Sequence, residues 1–129
     1  MDKLPDEYKG YQVSTNTLIT SDVINAIGVF LISVRDLEIR KKSEKLFEKY
    51  LDNLKSINPN EYVALNTEFL NDDLWIFMNG IAPEGYYFGS HPGDGSSYGF
   101  WEIEYYEADR LINAVLKIKE GKNEKEHNK

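Results

Sequence analysis

"YYFGSHPGDGSSYGFW", residues 86–101, sets six aromatic residues and four glycines around one histidine and one aspartate. Its two aromatic runs, 86–89 and 98–104, have the composition of strands and are separated by turn-forming residues, so they are predicted to pair as an antiparallel hairpin. In "HPGDG", Pro92 presets the first central dihedral of a turn and Gly93 accepts a positive φ at the second, the chemistry of a type II turn. Gly89 and Gly99 flank the loop at positions where strands bulge or meet another backbone closely. Alternation along the strands distributes the aromatic side chains over both sheet faces, and only one face has to meet helices. Tyr87, Phe88, Phe100 and Trp101 are therefore candidate binding anchors, because aromatic side chains supply large contact area at small entropic cost. With His91, Asp94, Glu102 and Glu104 they form the candidate binding site.

The sequence on either side of the hairpin reads as helix. "DVINAIGVFLISV" (22–34) places Val23, Ile24, Ile27, Leu31 and Val34 at helical spacing, with Ser21 as the expected cap and apolar residues on the remaining faces, so this helix should be central. Beyond Arg35 and Asp36 the pattern turns amphipathic: Leu46, Phe47, Tyr50, Leu51 and Leu54 share one side, and Arg40, Lys41, Lys42, Lys45 and Lys49 lie mostly on the other. A single helix over 22–56 would be about 52 Å long, against a domain diameter of roughly 36 Å for a chain of this length. A break near Arg35–Asp36 follows. Pro59 ends the second helix. A third is expected to begin at Asn71, with Asp72 and Asp73 at its positive end and Leu74, Phe77, Met78 and Ile81 on its inner face. A last helix ends near Gly121, with Ala108, Leu111, Ile112, Val115 and Ile118 facing inward. The stretch "YKGYQVSTNTLIT" supplies one further short strand. The expected architecture is α+β: a single, mainly helical domain over 1–121 with about four helices and a small antiparallel sheet, followed by a charged tail at 122–129.

There is no cysteine, which excludes disulfides and thiolate metal sites. The longest apolar run, 23–34, is interrupted by Asn25 and Ser33 and is too short to span a bilayer, and the first twelve residues lack a signal-peptide core. A soluble, cytoplasmic protein is expected. The net charge of −7 is unevenly placed. Residues 1–60 balance nine acidic against nine basic side chains, whereas 61–109 hold ten acidic residues and no lysine or arginine. Such a block repels nucleic-acid backbones and steers toward basic protein surfaces.

Other chemistries are weaker. A phosphate cradle would need the lysine and Ser/Thr of a P-loop, and both are missing. No metal site is expected, because His91, Asp94, Glu84 and Glu102 have no recognised ligand spacing. Serine-based catalysis with His91 as base lacks the strand–turn–helix elbow such nucleophiles occupy. No cofactor or catalytic residue is assigned.

"IAPEGYYFGSHPGDGSSYGFWEIE" (81–104), with the preceding "NDDLWIFMNG" (71–80), resembles a segment found in small proteins of bacteriophages, plasmids and integrative elements. The resemblance covers about a quarter of the chain. In that pattern an acidic residue often follows the serine after the second turn glycine; here Ser97 stands in its place. The resemblance implies a mobile-element accessory protein in a bacterial host cell, and such proteins often block a host defence system. The leading expectation is a non-enzymatic inhibitor that binds a basic host protein, for example a nucleic-acid-binding defence protein, with the carboxylates steering it and the aromatics anchoring it. A binder of a small nucleotide signal, with Arg110 supplying positive charge, is the alternative, and a hydrolase using His91 the third.

Overall fold

A computed structural model of the chain describes residues 3–103 and 111–121. The predicted hairpin forms: β2 (Tyr86–His91) pairs antiparallel with β3 (Asp94–Glu102), placing Phe88 opposite Phe100, Gly89 opposite Gly99 and Ser90 opposite Tyr98. The short strand expected near the N-terminus is β1 (Gln12–Ser14), which adds to the other side of β3 and makes the sheet order β1-β3-β2. With these strands, the helices complete an α+β fold: α1 (Thr20–Ser33), α2 (Leu37–Ser56), a continuous helical run made of α3 (Tyr62–Glu68), a π-helical stretch (Phe69–Leu74) and α4 (Trp75–Ile81), and α5 over 111–121.

The break between α1 and α2 falls where helix length required it. Asp36 caps α2, its Oδ1 accepting from the backbone amides of Glu38 at 3.0 Å and Ile39 at 3.1 Å. The cap of α1 differs from the expected Ser21. Thr17 Oγ1 accepts from the Ile19 amide and donates to Asp22, so the residue that ties down this helix entry lies one turn earlier.

The third helix also departs from expectation, because it begins at Tyr62. Asn71, Asp72 and Asp73 are exposed in its middle, within the π-helical stretch. A wide turn changes the phase of the buried face. Phe69 thereby meets α2, stacking on Tyr50 at 4.0 Å and meeting Phe47 edge-on at 5.4 Å, whereas Leu74, Met78 and Ile81 are fully buried toward the sheet. Burial also raises the Tyr50 phenol above its ordinary pKa, and its hydroxyl donates to Asn66 Oδ1.

Phe88 and Phe100 close the core from the sheet side. Their rings lie 5.7 Å apart; Phe100 continues to Phe30 of α1 at 5.7 Å, and Phe88 to Trp75 of α4 at 5.3 Å. Both are at most 1 % exposed, which corrects the expectation that they project outward as anchors. The inward face expected of the last helix is also corrected: Leu111, Ile112, Val115 and Ile118 of α5 are all exposed. Ala108 and the tail at 122–129 lie outside the described residues.

β2 is an edge strand, and its open side is covered by one side chain. Asn79 Oδ1 accepts from the Phe88 amide at 3.0 Å, and its Nδ2 donates to the Phe88 carbonyl at 3.3 Å and to the Trp75 carbonyl at 3.0 Å. This satisfies the outward-facing backbone groups at the middle of the edge. Asn79→Ala is expected to lower stability by about 1–3 kcal/mol, the usual cost of leaving such groups unpaired. Denaturant unfolding checks the magnitude, and accelerated hydrogen exchange at the Phe88 amide locates it.

Candidate functional site

The outer face of the hairpin is built on two glycines that face each other across the strands. A Cβ on Gly89 would come within 3.0 Å of the Tyr87 ring; one on Gly99 would lie 2.8 Å from the Trp101 ring and 2.3 Å from the Tyr11 carbonyl oxygen. Gly99 is thus obligatory for the approach of the 11–12 backbone, and the glycine pair lets Tyr87 and Trp101 lie over the strands. Trp101 Nε1 donates to the Gly89 carbonyl at 2.8 Å, and the His91 ring meets the indole edge-on at 4.6 Å. Tyr87, His91 and Trp101 therefore come together on the face opposite Phe88 and Phe100. Tyr87 and Trp101 are half-buried, and His91 is exposed.

At the tip, the turn is not type II. Among the described glycines, positive φ occurs at Gly10 (73°) and Gly85 (81°), and not at Gly93. Type II geometry is instead found at Tyr8–Tyr11 and at 83–86, where Tyr11 and Tyr86 donate back to the carbonyls of Tyr8 and Pro83. The tip is organised by side chains. His91 Nδ1 accepts from the Gly93 amide at 2.9 Å; Asp94 Oδ1 accepts from the Ser96 amide and hydroxyl, and Asp94 Oδ2 from the Ser97 hydroxyl at 2.8 Å. Gln12 Nε2 donates to the same Ser97 oxygen at 2.9 Å, tying the tip to β1. Hydrogen bonds from Ser96, then from Ser97, hold the Asp94 carboxyl below the usual aspartate range, with a smaller contribution from the nearby His91.

This arrangement bears on the chemistries considered for the loop. His91 Nδ1 is occupied by a backbone amide, and the hydroxyls of Ser96 and Ser97 donate to Asp94, so neither of these serines is poised against an imidazole base. Glu102 sits opposite Tyr86 at the far end of the hairpin, and Glu84 lies in the turn before that strand, so neither converges with His91 and Asp94. Among the described residues, no three acidic or histidine side chains stand close enough to hold a metal ion. Glu104 and Arg110 lie outside the described residues. Asn79 and Gln12, which fix the two sides of the hairpin, carried no signal in the sequence, since each is a lone amide in an unremarkable context.

Five of the seven described carboxylates of the acidic block fall toward the two ends of the hairpin. Helix α4 runs antiparallel to β2, with Trp75 against Tyr98 in the tip half and Pro83 bonded to Tyr86 at the base. Asp72 and Asp73, which precede Trp75, therefore lie toward the tip end with Asp94, and Glu84 and Glu102 lie at the base. Two lysines reach the base: Lys3 Nζ donates to the Ala82 carbonyl at 3.4 Å, and Lys9 Nζ stands 5.6 Å from the centre of the Tyr86 ring. Among the described residues the ion pairs are Lys9–Asp6 and Lys42–Glu38, so none of Glu61, Glu68, Asp72, Asp73, Glu84, Asp94 and Glu102 is neutralised in this way.

Compared with protein-family models, curated proteins and solved structures, the chain matches none of them. Among the described residues no helix is long and apolar enough to cross a membrane.

The lowered pKa of Asp94 gives the tip a pH dependence of definite sign. A carboxyl whose folded pKa is depressed stabilises the fold above its unfolded value, near 3.9, and loses that contribution as pH falls through the folded value. Asp94→Asn is expected to lower the melting temperature at pH 7, with the gap from the parent protein closing steadily below about pH 4. Parallel thermal melts between pH 2 and 7 check this.

Proposed function

We propose that the chain is a non-enzymatic interaction module, an accessory protein of a mobile element that inhibits a host defence protein by binding a basic surface on it. The observation that carries the reading is the pairing, on one hairpin, of a half-exposed aromatic face with carboxylates that have no cationic partner among the described residues. Tyr87 and Trp101 are held over the glycine pair and lose little side-chain freedom on contact with a partner, which favours them as anchors. Phe88 and Phe100 have no such role, because they are core residues. The docking surface is therefore the tip and outer face, with Asp72, Asp73 and Asp94 steering and Tyr87, His91 and Trp101 in contact; Glu102 belongs to its basal flank. The mobile-element setting and the defence target rest on the resemblance of residues 71–104. A serine hydrolase using His91 is disfavoured by the hydrogen bonding at the tip, and a nucleotide binder at the hairpin is disfavoured because its aromatics lie on a strand face rather than in a cleft.

Affinity capture from a host lysate, followed by binding kinetics on the captured protein, tests the proposal. The triple variant Asp72→Asn, Asp73→Asn, Asp94→Asn is expected to slow association on the order of 10-fold and to flatten its salt dependence. Glu84→Gln with Glu102→Gln should have the smaller effect. Unchanged association and unchanged salt dependence in the tip variant would overturn the steering role.

A further inference from the structure

Between α1 and α2 lies a groove of about 640 Å³. Ile24, Gly28, Leu31 and Phe47 are among its lining residues, and a Cβ at position 28 would rest in ordinary contact with the Phe47 ring at 3.5 Å. Val29, Ile32 and Leu51 are apolar lining residues left 61 %, 74 % and 48 % exposed. The charged lining residues are Glu44 and Glu48, with no lysine or arginine among them.

The same chain carries a surface of matching form. In α5, Leu111, Val115 and Ile118 make one apolar ridge and Ile112 and Leu116 the next, and each of these side chains is at least 50 % exposed. Asn113, Lys117 and Glu120 follow one another on the opposite side, and Lys119 alone places a cation on the apolar face, in its last turn. An 11-residue helix is about 16 Å long, the distance α1 covers between Ser21 and Ile32 along the groove. Length, apolarity and the charge pairing of Lys119 with Glu44 or Glu48 all agree.

We propose that the groove receives α5 of a second copy of this chain, in a reciprocal exchange that makes a two-fold dimer. Neither surface is covered by the described residues of the single chain, although both belong to it. Exchange covers both, and it closes on itself because each protomer gives one helix and accepts one. Interface size also favours the double contact. Half the wall of a helix this long and about 10 Å wide is roughly 250 Å², so one helix in one groove buries about 500 Å² over both sides. Two such contacts bring the total to about 1,000 Å², the lower limit for a specific interface, which one contact alone does not reach.

Light scattering coupled to size exclusion tests this on the full chain. The expected mass is twice the 14.9 kDa of one chain. A helix variant, Val115→Asp with Leu116→Asp, and a groove variant, Val29→Asp with Ile32→Asp, are each expected to weaken dimerisation on the order of 100-fold or more, giving monomers. All four side chains are at least half exposed, so far-ultraviolet circular dichroism should be unchanged and the variants should fold. Mixing the two variants is the decisive arm: the intact helix of one meets the intact groove of the other, so at raised concentration the mixture forms a weak heterodimer through one contact, whereas neither variant self-associates alone. A monomeric parent protein, a dimer that survives either variant, or a mixture that associates no more than the separate variants at raised concentration would each overturn the exchange.

Discussion

The buried contact between Phe88 and Phe100 couples every layer of this fold. It joins the two long strands, and through Phe30 and Trp75 it joins them to α1 and α4. Its register has a second consequence. Because the two residues do not exchange hydrogen bonds with each other, the Phe88 backbone is left to face Asn79, and the Phe100 backbone bonds to Gly10 and Tyr11. One cross-strand pair therefore fixes where β1 attaches and how the open edge is closed. A slip of β2 by one residue against β3 would turn Phe88 outward, bring Tyr87 and Gly89 inward and misplace the hydrogen bonds to Asn79.

The outer face follows from the same register. With large side chains committed inward, the neighbouring Gly89–Gly99 pair leaves the outer surface low enough for Tyr87 and Trp101 to lie over the strands. These rings do structural work: Trp101 bonds to the opposite strand through Nε1, and His91 packs on the indole edge while bonding the turn amide. A contact face assembled this way is stiff. Its side chains are positioned by the hairpin itself, so a partner would meet groups whose freedom has already been reduced by folding.

The legibility of the fold in its sequence divides along physical lines. The hairpin, the break at Arg35–Asp36 and the end of the third helix could be read, because each depends on local chemistry or simple length. Period-two alternation separated Phe88 and Phe100 from Tyr87 and Trp101, yet it could not say which set faces inward; Phe30 and Trp75, distant in sequence, decide that. The start of the third helix was hidden because "NDD" has the composition of a helix entry and lies on the outside of a wide turn, where polar residues are equally at home. At Pro92–Gly93 the turn composition was right and the type was wrong, since His91 and Asp94 hold the tip through side-chain bonds that no dipeptide rule encodes. The apolar stripe of α5 was legible as a stripe, but its expected partner was not: periodicity shows that a face will be buried and is silent on the molecule that buries it.

The placement of α2 determines whether the acidic hairpin keeps its potential. This helix carries Arg40, Lys41, Lys42, Lys45 and Lys49, enough cationic charge to neutralise a nearby carboxylate surface. Its aromatic contacts, however, are made through Phe47 and Tyr50 to Phe69, and its other principal contact is with α1, which itself packs on the sheet. No lysine or arginine contributes to the lowered pKa of Asp94, and among the described residues no α2 cation forms an ion pair with a carboxylate of the hairpin. The charge of α2 is spent instead within its own helix, where Lys42 pairs with Glu38 one turn earlier, so the cationic helix and the acidic hairpin coexist without direct neutralisation.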